Sequence, residues 1–464
     1  MSLLTAKIAA ARAVGGLARR AGRGGGTSLP GKMLISLEPD AISELSARLA
    51  RGSVVVSATN GKTTTAAMVA SVLNRAGVPV VHNRAGANMA GGVASTLLAA
   101  ARSGGRIEGE LGLFEIDEFW LDRVIPQLKP RGILLGNLFR DQLDRYGELD
   151  TIADRWAAVA ATAAGRQAQL VLNADDPLIA DLGRGATNVT YFGVEDPSMA
   201  VPEMQHASDS KHCRRCGAAY VYDVVYLGHL GRYRCPSCGQ ERPAPAVAAE
   251  QISLDGTRGS SFELVTPAGQ ARVELPLPGL YNVYNALGAA ALCLGLGIAL
   301  DTVIAGLGEV RAAFGRAERL AVGEVEVQVL LIKNPAGANE ILRTLVLEGD
   351  ELDLLVILND RTADGRDVSW VWDADFELLA GRARRVTCAG TRAGELAVRL
   401  KYAGVPSDRL HVVPGLVAAL DDAVAHAEAN RLYVLPTYTA LLELRSELAG
   451  RGQAMRFWET VGQP

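Results

Sequence analysis

A lysine and three threonines follow an apolar run near the start of the chain. Residues 54–65 read V-V-V-S-A-T-N-G-K-T-T-T, which predicts a buried strand, a tight turn at Gly61 and the first turn of a helix. Backbone N–H groups at such a turn point at phosphate oxygens, and the helix dipole favours negative charge there. Lys62 would reach the outer phosphates, and the Thr63 hydroxyl would bind Mg²⁺. The segment indicates a nucleoside triphosphate site, although Val56 occupies the first glycine position of the general G-x-x-x-x-G-K-[ST] pattern.

Four of the six cysteines form two C-x-x-C pairs, Cys213/Cys216 and Cys235/Cys238, with eighteen residues between the pairs. This spacing is typical of a zinc ribbon, in which two tight knuckles each give two thiolates to one tetrahedral Zn²⁺. Because four thiolates fill the coordination sphere, we interpret the predicted zinc as structural. Two disulfides are the alternative, and they fit poorly with a chain that otherwise reads as cytosolic.

The composition is that of an ordinary globular protein. The 464 residues are 49% hydrophobic and 21% charged, which suggests about two or three domains. The net charge of −4 argues against general nucleic-acid binding, although the arginines around the cysteine pairs leave a local basic patch open. No apolar run reaches the ~18 residues of a membrane span, so we expect a cytoplasmic protein with at most peripheral membrane contact. Residues 3–20 are basic with helical apolar spacing, which predicts a helix packed on the core.

Short apolar runs alternate with helical segments along the chain, which predicts a parallel α/β sheet covered by helices. The cysteine segment, at about residues 205–245, interrupts this order and is interpreted as an insertion. A second series of strands and helices begins near Arg319 and predicts a doubly wound α/β domain. We therefore expect a P-loop central domain at residues 1–316 and a C-terminal α/β domain at residues 317–464.

Carboxylates and amides follow several of the predicted strands. Glu115 ends one strand, Asn137 ends the next, and residues 173–177 read N-A-D-D-P after a third. Because the carboxyl ends of parallel strands meet at one edge of a sheet, these side chains are expected near the loop. Glu115 would hold Mg²⁺ directly or through water. Each segment alone is more often a helix cap or a turn, and their joint position indicates the rest of a nucleotide site.

Together these segments resemble the Mur ligase superfamily, the ATP-dependent amide-forming enzymes of peptidoglycan assembly, which are related to folylpolyglutamate synthase. Residues 141–147, D-Q-L-D-R-Y-G, are similar to the family's D-H-L-D-R-H-G segment, and residues 278–286, P-G-L-Y-N-V-Y-N-A, to its G-x-H-N-x-x-N-A signature near the adenine. Residues 315–319 resemble the hinge, and residues 333–335 the family's H-N-P. The resemblance implies ATP and Mg²⁺ as cofactors, Thr63 and Glu115 as Mg²⁺ ligands, and a nucleotide site made of Thr59, Asn60, Gly61, Lys62, Thr63, Thr64, Asn137, Asn282, Asn285, Arg316 and Lys333.

Several departures from the family pattern narrow this interpretation. Gln142 and Tyr281 stand where the family usually has histidines. Only about fifty residues precede the loop, so no UDP-sugar-binding domain is expected. The family's carbamylated lysine also has no evident counterpart, because Lys211 is the only lysine between Lys129 and Lys333. A standard amino-acid-adding ligase is therefore disfavoured.

One subfamily combines all of these features: the Mur-ligase-like subunits of lipid II isoglutaminyl synthase. Its hallmarks are the four-cysteine insertion, K-N-P-A-G at residues 333–337, A-D-G-R-D-V-S-W-V-W-D at 363–373 and P-T-Y-T-A-L-L-E-L-R at 436–445. This resemblance implies ATP-dependent amidation of the α-carboxylate of D-glutamate in lipid II to D-isoglutamine, through an acyl phosphate, at the inner face of the membrane. The ammonia would come from a GatD-like glutamine amidotransferase subunit in a heterodimer.

The same resemblance implies that a C-terminal aspartate completes the partner's Cys–His pair. We expect Asp364 to be that residue, with Asp360 and Asp367 as alternatives, and we count all three with Glu115 as candidates for catalysis. A glycine turn capped by aspartates is the competing interpretation. Two other functions stay open: a folylpolyglutamate-type or other Mur-like amino-acid ligase, and a non-catalytic module whose ribbon binds nucleic acid.

Overall fold

The structure is a computed structural model that describes Ala11 and residues 28–83, 87–102, 106–141, 149–204, 208–311, 315–349, 351–428 and 430–453. Apart from Ala11, the helix expected at residues 3–20 lies outside the described residues. So does most of the D-Q-L-D-R-Y-G segment, including Gln142, while Asp141 is described. The backbone of Arg316 is described, and its side chain is not.

The larger sheet has nine strands among the described residues. They are β1 (Ser53–Ser57), β2 (Val80–His82), β3 (Leu111–Glu115), β4 (Gly132–Leu135), β5 (Gln169–Asn173), β6 (Val189–Val194), β9 (Val247–Asp255), β10 (Gly259–Thr266) and β11 (Gly269–Leu275). Their order is β11-β10-β9-β6-β5-β4-β1-β3-β2. From β9 to β2 in this order, each strand pairs in parallel with its neighbour, whereas β10 is antiparallel to both β9 and β11. Strands β10 and β11 form the hairpin that residues 263–265 and 271–275 predict around residues 267–269, because a short turn between successive strands permits only antiparallel pairing.

The run of three valines in β1 contributes to two separate cores. Val54 and Val56 pack into one, on the face covered by α3 (Lys62–Arg75), α8 (Leu280–Gly295) and α9 (Leu300–Gly308). Val55 packs into the other, because successive residues of a strand point to opposite faces. The helices over that second face are α1 (Leu29–Leu37), α2 (Ala41–Ser46), α4 (Ala90–Ala100), α5 (Leu121–Leu128) and α6 (Leu149–Gly165). A sheet buried on both faces explains why its strands read as continuous apolar runs.

The smaller C-terminal sheet contains β12 (Arg316–Val322), β13 (Val325–Leu330), β14 (Leu352–Ile357), β15 (Ala383–Ala389), β16 (Leu410–Val412) and β17 (Arg431–Pro436). Their order is β12-β13-β17-β14-β15-β16, with apolar cores on both faces. The covering helices are α10 (Pro335–Val346), α11 (Ala393–Tyr402), α12 (Leu416–Ala425) and α13 (Tyr438–Gly450). Strand β12 was not expected from the sequence. The division at residues 316/317 stays a prediction.

A two-stranded antiparallel sheet, β7 (Val221–Leu227) and β8 (Leu230–Arg234), lies between β6 and β9 in the chain. We call residues 221–234 the ribbon hairpin. The short helix α7 (Pro177–Asp181) follows β5. In the part of the chain that the structure describes, no helix combines the length and apolar character needed to cross a membrane.

Candidate nucleotide and metal sites

The phosphate-binding loop connects β1 to α3 with backbone geometry that only glycine adopts easily. Gly61 has φ = 87°, in the left-handed region. A Cβ atom at this position would lie 2.0 Å from Asn285 Oδ1, so a side chain would also collide with α8. The loop is held on its other side by Asn137, whose side-chain oxygen accepts from Asn60 N–H and whose amide donates to Asn60 O, each at 2.9 Å. The loop predicted from residues 54–65 is thus held between the segment after β4 and helix α8.

Lys62 is buried at the first position of α3. Its Nζ donates to Ala58 O at 3.0 Å and lies 2.9 Å from Glu118 Oε2. Burial alone lowers the pKa of Lys62, but the negative charges of Glu118, Asp117 and Glu115 outweigh it and raise the pKa above its ordinary value. The side chain therefore carries a permanent positive charge beside the loop, as binding of phosphates requires.

Three acidic residues gather at the end of β3, next to Lys62. The Thr63 hydroxyl donates to Glu115 Oε1 at 3.0 Å, so the two predicted Mg²⁺ ligands lie together. Burial and the charge of Glu118 raise the pKa of Asp117. Burial alone would raise the pKa of Glu118. The positive charges of Lys62 and Lys333 outweigh this effect, so the pKa of Glu118 is lowered. A hydroxyl and a carboxylate are ligands that Mg²⁺ prefers, and Thr63 with Glu115 would hold it beside the loop.

The C-terminal domain contacts the loop directly. Lys333 Nζ lies 2.5 Å from Asp141 Oδ2 and donates to Thr59 O at 3.2 Å. Asn334 Nδ2 donates to Asn60 Oδ1 at 3.0 Å, and its own oxygen caps α10 by accepting from Gly337 N–H. The K-N-P segment thus joins both domains at the phosphate-binding loop.

A cleft with about 860 Å³ of solvent-open space lies between the two domains beside this loop. Its lining includes six of the residues predicted to bind nucleotide, which are Asn60, Gly61, Thr64, Asn137, Asn285 and Lys333. Asn282 supports this set, because it accepts a hydrogen bond from Asn285 Nδ2 at 3.0 Å and donates to Pro278 O at 2.8 Å. The cleft thus brings side chains of both domains to the phosphate-binding loop.

The N-A-D-D-P segment was expected in the nucleotide site, but its two aspartates have a structural role. Asp175 and Asp176 are both fully buried. Asp175 accepts from Tyr284 OH at 2.6 Å and from Arg242 Nε at 2.5 Å. Asp176 caps α7 and also accepts from Leu138 N–H at 2.9 Å. The hydrogen bonds of these carboxylates join the segment after β4, helix α8 and the segment that follows the ribbon hairpin.

The four cysteines of the predicted ribbon come together, with all Sγ atoms within 4.8 Å of one another. Cys213 and Cys238 sulfurs are 3.5 Å apart, and those of Cys216 and Cys235 are 3.4 Å apart. Tetrahedral zinc with Zn–S bonds of ~2.3 Å needs sulfurs about 3.8 Å apart, so this donor set fits Zn²⁺. Cys293 and Cys388 are buried elsewhere as free thiols.

Known proteins share both domains of this chain. A model of the Mur ligase middle domain matches residues 56–223, and one of the MurT ligase C-terminal domain matches residues 331–441. The MurT subunit of lipid II isoglutaminyl synthase (glutamine-hydrolyzing) from Streptococcus pneumoniae is 32% identical over 92% of this chain and 93% of its own length. The chain belongs to the MurT family of Mur ligases. Its Staphylococcus aureus relative, also a MurT subunit, is 33% identical over 84% of this chain and 86% of its own length.

Solved structures show the same fold at lower identity. A pseudomurein peptide ligase type C from Methanothermus fervidus superposes with a TM-score of 0.67 at 23% identity, covering 88% of this chain and 80% of its own. MurF from Acinetobacter baumannii superposes with a TM-score of 0.63 at 18% identity, covering 90% and 80%. The mixed α/β fold with central and C-terminal Mur ligase domains is therefore confirmed.

In this member of the MurT family the three candidate aspartates occupy different surroundings. Asp364 is buried and accepts from both the Thr439 N–H at 2.7 Å and the Thr439 hydroxyl at 2.5 Å, at the start of α13. Asp360 is half-buried, and the Thr391 hydroxyl, which donates to it at 2.8 Å, lowers its pKa. Asp367 is exposed, and hydrogen bonds from Ser369 lower its pKa. All three lie in the segment after β14, and the choice among them stays a prediction.

Sequence patterns did not reveal every residue of the site. The cleft is also lined by Leu227 and Leu230 from the ribbon hairpin and by Glu340 from α10. Leu227 and Leu230 read as ordinary strand residues, because their position in the cleft depends on contacts with distant segments. Glu340, whose pKa is raised by burial, has only the i,i+3 pair with Arg343 as a sequence signal.

Proposed function

We propose that this chain is the ligase subunit of a two-subunit enzyme that amidates lipid II. The substrate is the α-carboxylate of D-glutamate in the lipid II stem peptide, and the product is D-isoglutamine. The observation that carries the proposal is the 32% identity with a MurT subunit over 92% of the chain. The phosphate-binding loop at the interdomain cleft supports it, because amide formation from a carboxylate requires activation by ATP.

In the first step a carboxylate oxygen of D-glutamate attacks the γ-phosphorus of ATP. The bond to the β–γ bridging oxygen breaks, ADP leaves, and an acyl phosphate forms. Lys62 supplies a fixed positive charge for the transferring phosphoryl group, a form of electrostatic stabilisation that exists before the reaction begins. Mg²⁺, held by Thr63 and Glu115, would neutralise further phosphate charge.

In the second step ammonia attacks the acyl carbon, phosphate leaves with the former carboxylate oxygen, and ammonia loses a proton. The ammonia comes from glutamine, which a GatD-like partner subunit hydrolyses. In this proposal Asp364 completes the Cys–His pair of the partner, orienting the histidine and stabilising its charged form. Asp360 and Asp367 are the alternatives for the same role. The reaction takes place at the inner face of the membrane, where lipid II is assembled.

The four cysteines, in this proposal, hold a structural Zn²⁺ in a ribbon inserted at about residues 205–245. Four thiolate ligands leave no open coordination position for catalysis. The rings of Tyr220 and Tyr233, which lie close to the cysteines in the chain, pack against each other with their centroids 5.2 Å apart.

The test is amidation of lipid II by the complex of this chain with its partner amidotransferase. With ATP, Mg²⁺ and glutamine, mass spectrometry of the product should show replacement of one hydroxyl by an amino group. Fragmentation should place the amide on the α-carboxylate of D-glutamate. Addition of glutamate or another amino acid instead would favour a Mur-like amino-acid ligase and would overturn the proposal.

A further inference from the structure

The interdomain cleft is lined by polar and by apolar residues. The polar lining includes the phosphate-binding loop, Asn137 and Lys333. The apolar lining consists of Phe139, Leu227, Leu230, Tyr281, Leu330 and Ile341, with other apolar residues. If the phosphates of a nucleotide bind at the loop, the apolar side chains of the cleft are available to pack against its base. Two of these side chains, Leu227 and Leu230, flank the turn of the ribbon hairpin.

The turn of the hairpin is fixed against the central domain by several contacts. Gly231 N–H donates to Asp175 O at 2.9 Å. His229 is fully buried, with its ring centroid 4.5 Å from that of Phe139 and its Nε2 3.4 Å from Asp176 Oδ2. The buried aspartates of the N-A-D-D-P segment therefore hold the turn at the edge of the cleft.

The C-terminal domain reaches the same hairpin. Arg343 Nη1, on α10, donates to Tyr226 O at 2.9 Å and to Glu340 Oε1 at 2.9 Å. Glu340 itself lines the cleft. The hairpin turn thus lies where both domains and the cleft meet.

The other end of the hairpin leads directly into the cysteine cluster. Cys235 follows β8 immediately and lies five positions after Leu230, a span of about 17 Å in an extended strand. The rings of Tyr220, Tyr222 and Tyr233 pack against one another with centroids 5.2 to 6.3 Å apart, and Tyr222 pairs with Tyr233 across the hairpin. A displacement of the cysteine knuckles would consequently be passed along a short, packed strand to the cleft.

A two-stranded sheet is only marginally stable by itself. The contacts of the turn hold one end of the hairpin, and the four cysteines are placed to hold the other end through a metal. From this arrangement we propose that the ribbon hairpin forms a wall of the nucleobase pocket and that zinc at the four cysteines positions Leu227 and Leu230 against the base. The inference rests on the proposed function only in taking the cleft ligand to be a nucleotide.

The test compares three forms of the full-length chain: the zinc-loaded protein, the Leu227→Ala/Leu230→Ala variant, and zinc-depleted protein. Calorimetry measures binding of Mg²⁺ with a non-hydrolysable ATP analogue, and separately with inorganic tripolyphosphate. Zinc content is measured by atomic absorption, and folding by circular dichroism. Val221→Ala is the matched control, because Val221 lies on the same hairpin at the end away from the cleft and is 38% exposed.

We expect the double variant to keep its zinc and to bind the ATP analogue about tenfold more weakly, as loss of apolar groups from a pocket predicts. Its affinity for tripolyphosphate should stay unchanged, because in this proposal the hairpin packs against the base and not against the phosphates. Zinc-depleted protein should show the same selective loss, and Val221→Ala should behave as the parent does.

Unchanged affinity of the double variant for the ATP analogue would overturn the inference, whatever happens on zinc removal. Equal weakening of ATP analogue and tripolyphosphate would also overturn it, because it would place the effect at the loop. If the zinc-loaded parent bound neither ligand, the proposed function would fall and the inference with it. Failure of lipid II amidation with normal nucleotide binding would leave the inference supported and remove only the proposed substrate.

Discussion

Lys62 and Glu118 form a buried ion pair at the phosphate-binding loop, with Nζ and Oε2 2.9 Å apart and side chains 10% and 3% exposed. Glu118 thereby balances the lysine charge in the absence of phosphates. Removing one partner of a buried pair leaves an uncompensated charge and costs about 3–5 kcal/mol. A substitution of Lys62 therefore affects stability as well as phosphate binding, and the two effects can be separated.

Lys62→Met should reduce ATP-dependent amidation by roughly 10²- to 10³-fold, because it removes a charge that stabilises the transferring phosphoryl group. It should also lower the midpoint of thermal unfolding. In the Lys62→Met/Glu118→Gln double variant the unfolding midpoint should recover while activity stays lost. ADP release with lipid II and ammonium chloride measures the first quantity. A double variant that regains activity would show that the lysine charge has no catalytic role.

Lys333 joins the C-terminal domain to the loop through Asp141 and the Thr59 carbonyl. Lys333→Met should therefore weaken nucleotide binding and lower the amidation rate, about tenfold or more for loss of a partly buried charge pair. Small-angle scattering should show a more open arrangement of the domains when the ATP analogue is present. Lys401→Met, at an exposed position of α11, is the control. Equal nucleotide affinity in the two variants would contradict the role of the interdomain bond.

Asp364→Asn tests which aspartate serves the partner subunit. Asparagine keeps an oxygen for the Thr439 N–H, so the fold should survive, whereas Asp364→Ala would remove a helix cap and cost about 1 kcal/mol. Glutamine-dependent amidation should fall by about 10²-fold or more, as in triads with a neutralised acid. Amidation with free ammonia should continue, because ATP binding and activation occur in the cleft.

The matching variants Asp360→Asn and Asp367→Asn should retain glutaminase activity, and Asp373→Asn, at an exposed position nearby, is the control. If the Asp364→Asn complex kept full glutaminase activity, the role would be assigned to Asp360 or Asp367, according to which of their variants had lost that activity. If all three variants kept the activity, the proposed contribution to the partner's triad would be wrong.

The cysteine cluster should bind a single zinc ion, and substitution of one of the four cysteines should weaken the binding of that ion. Cys216→Ser should lower zinc content and thermal stability, because a structural metal contributes directly to folding free energy. Ser237→Ala, in the second knuckle and exposed, should change neither. Normal zinc content and stability of Cys216→Ser would exclude a four-thiolate site.

The parts of the site that depend on residues close together in the chain could be predicted from the sequence. The valine run, the Gly61 turn and the order Lys62–Thr63 belong to one continuous segment with a strong local pattern. Glu115 and Asn137 were found because they end strands of one sheet. By contrast, the structural use of Asp175 depends on Arg242 and Tyr284, which are far away in the chain.

Strand β12 and the position of the ribbon hairpin were the least predictable parts of the fold. Strand β12 has no alternating pattern that distinguishes it from a linker, and it is defined by antiparallel pairing with β13. The cysteine spacing predicted that the two C-x-x-C pairs come together. It gave no information on where the hairpin turn would lie, because Leu227 and Leu230 belong to the same buried apolar cluster as Phe139, which is far away in the chain.

The most direct test of the account is the fate of the carboxylate oxygen. Lipid II labelled with ¹⁸O in the α-carboxylate of D-glutamate would be amidated by the complex with ATP, and the inorganic phosphate analysed by mass spectrometry. The account predicts one labelled oxygen in the phosphate for every amide formed, because the carboxylate oxygen is carried away through an acyl phosphate. Amide formation with unlabelled phosphate would contradict it.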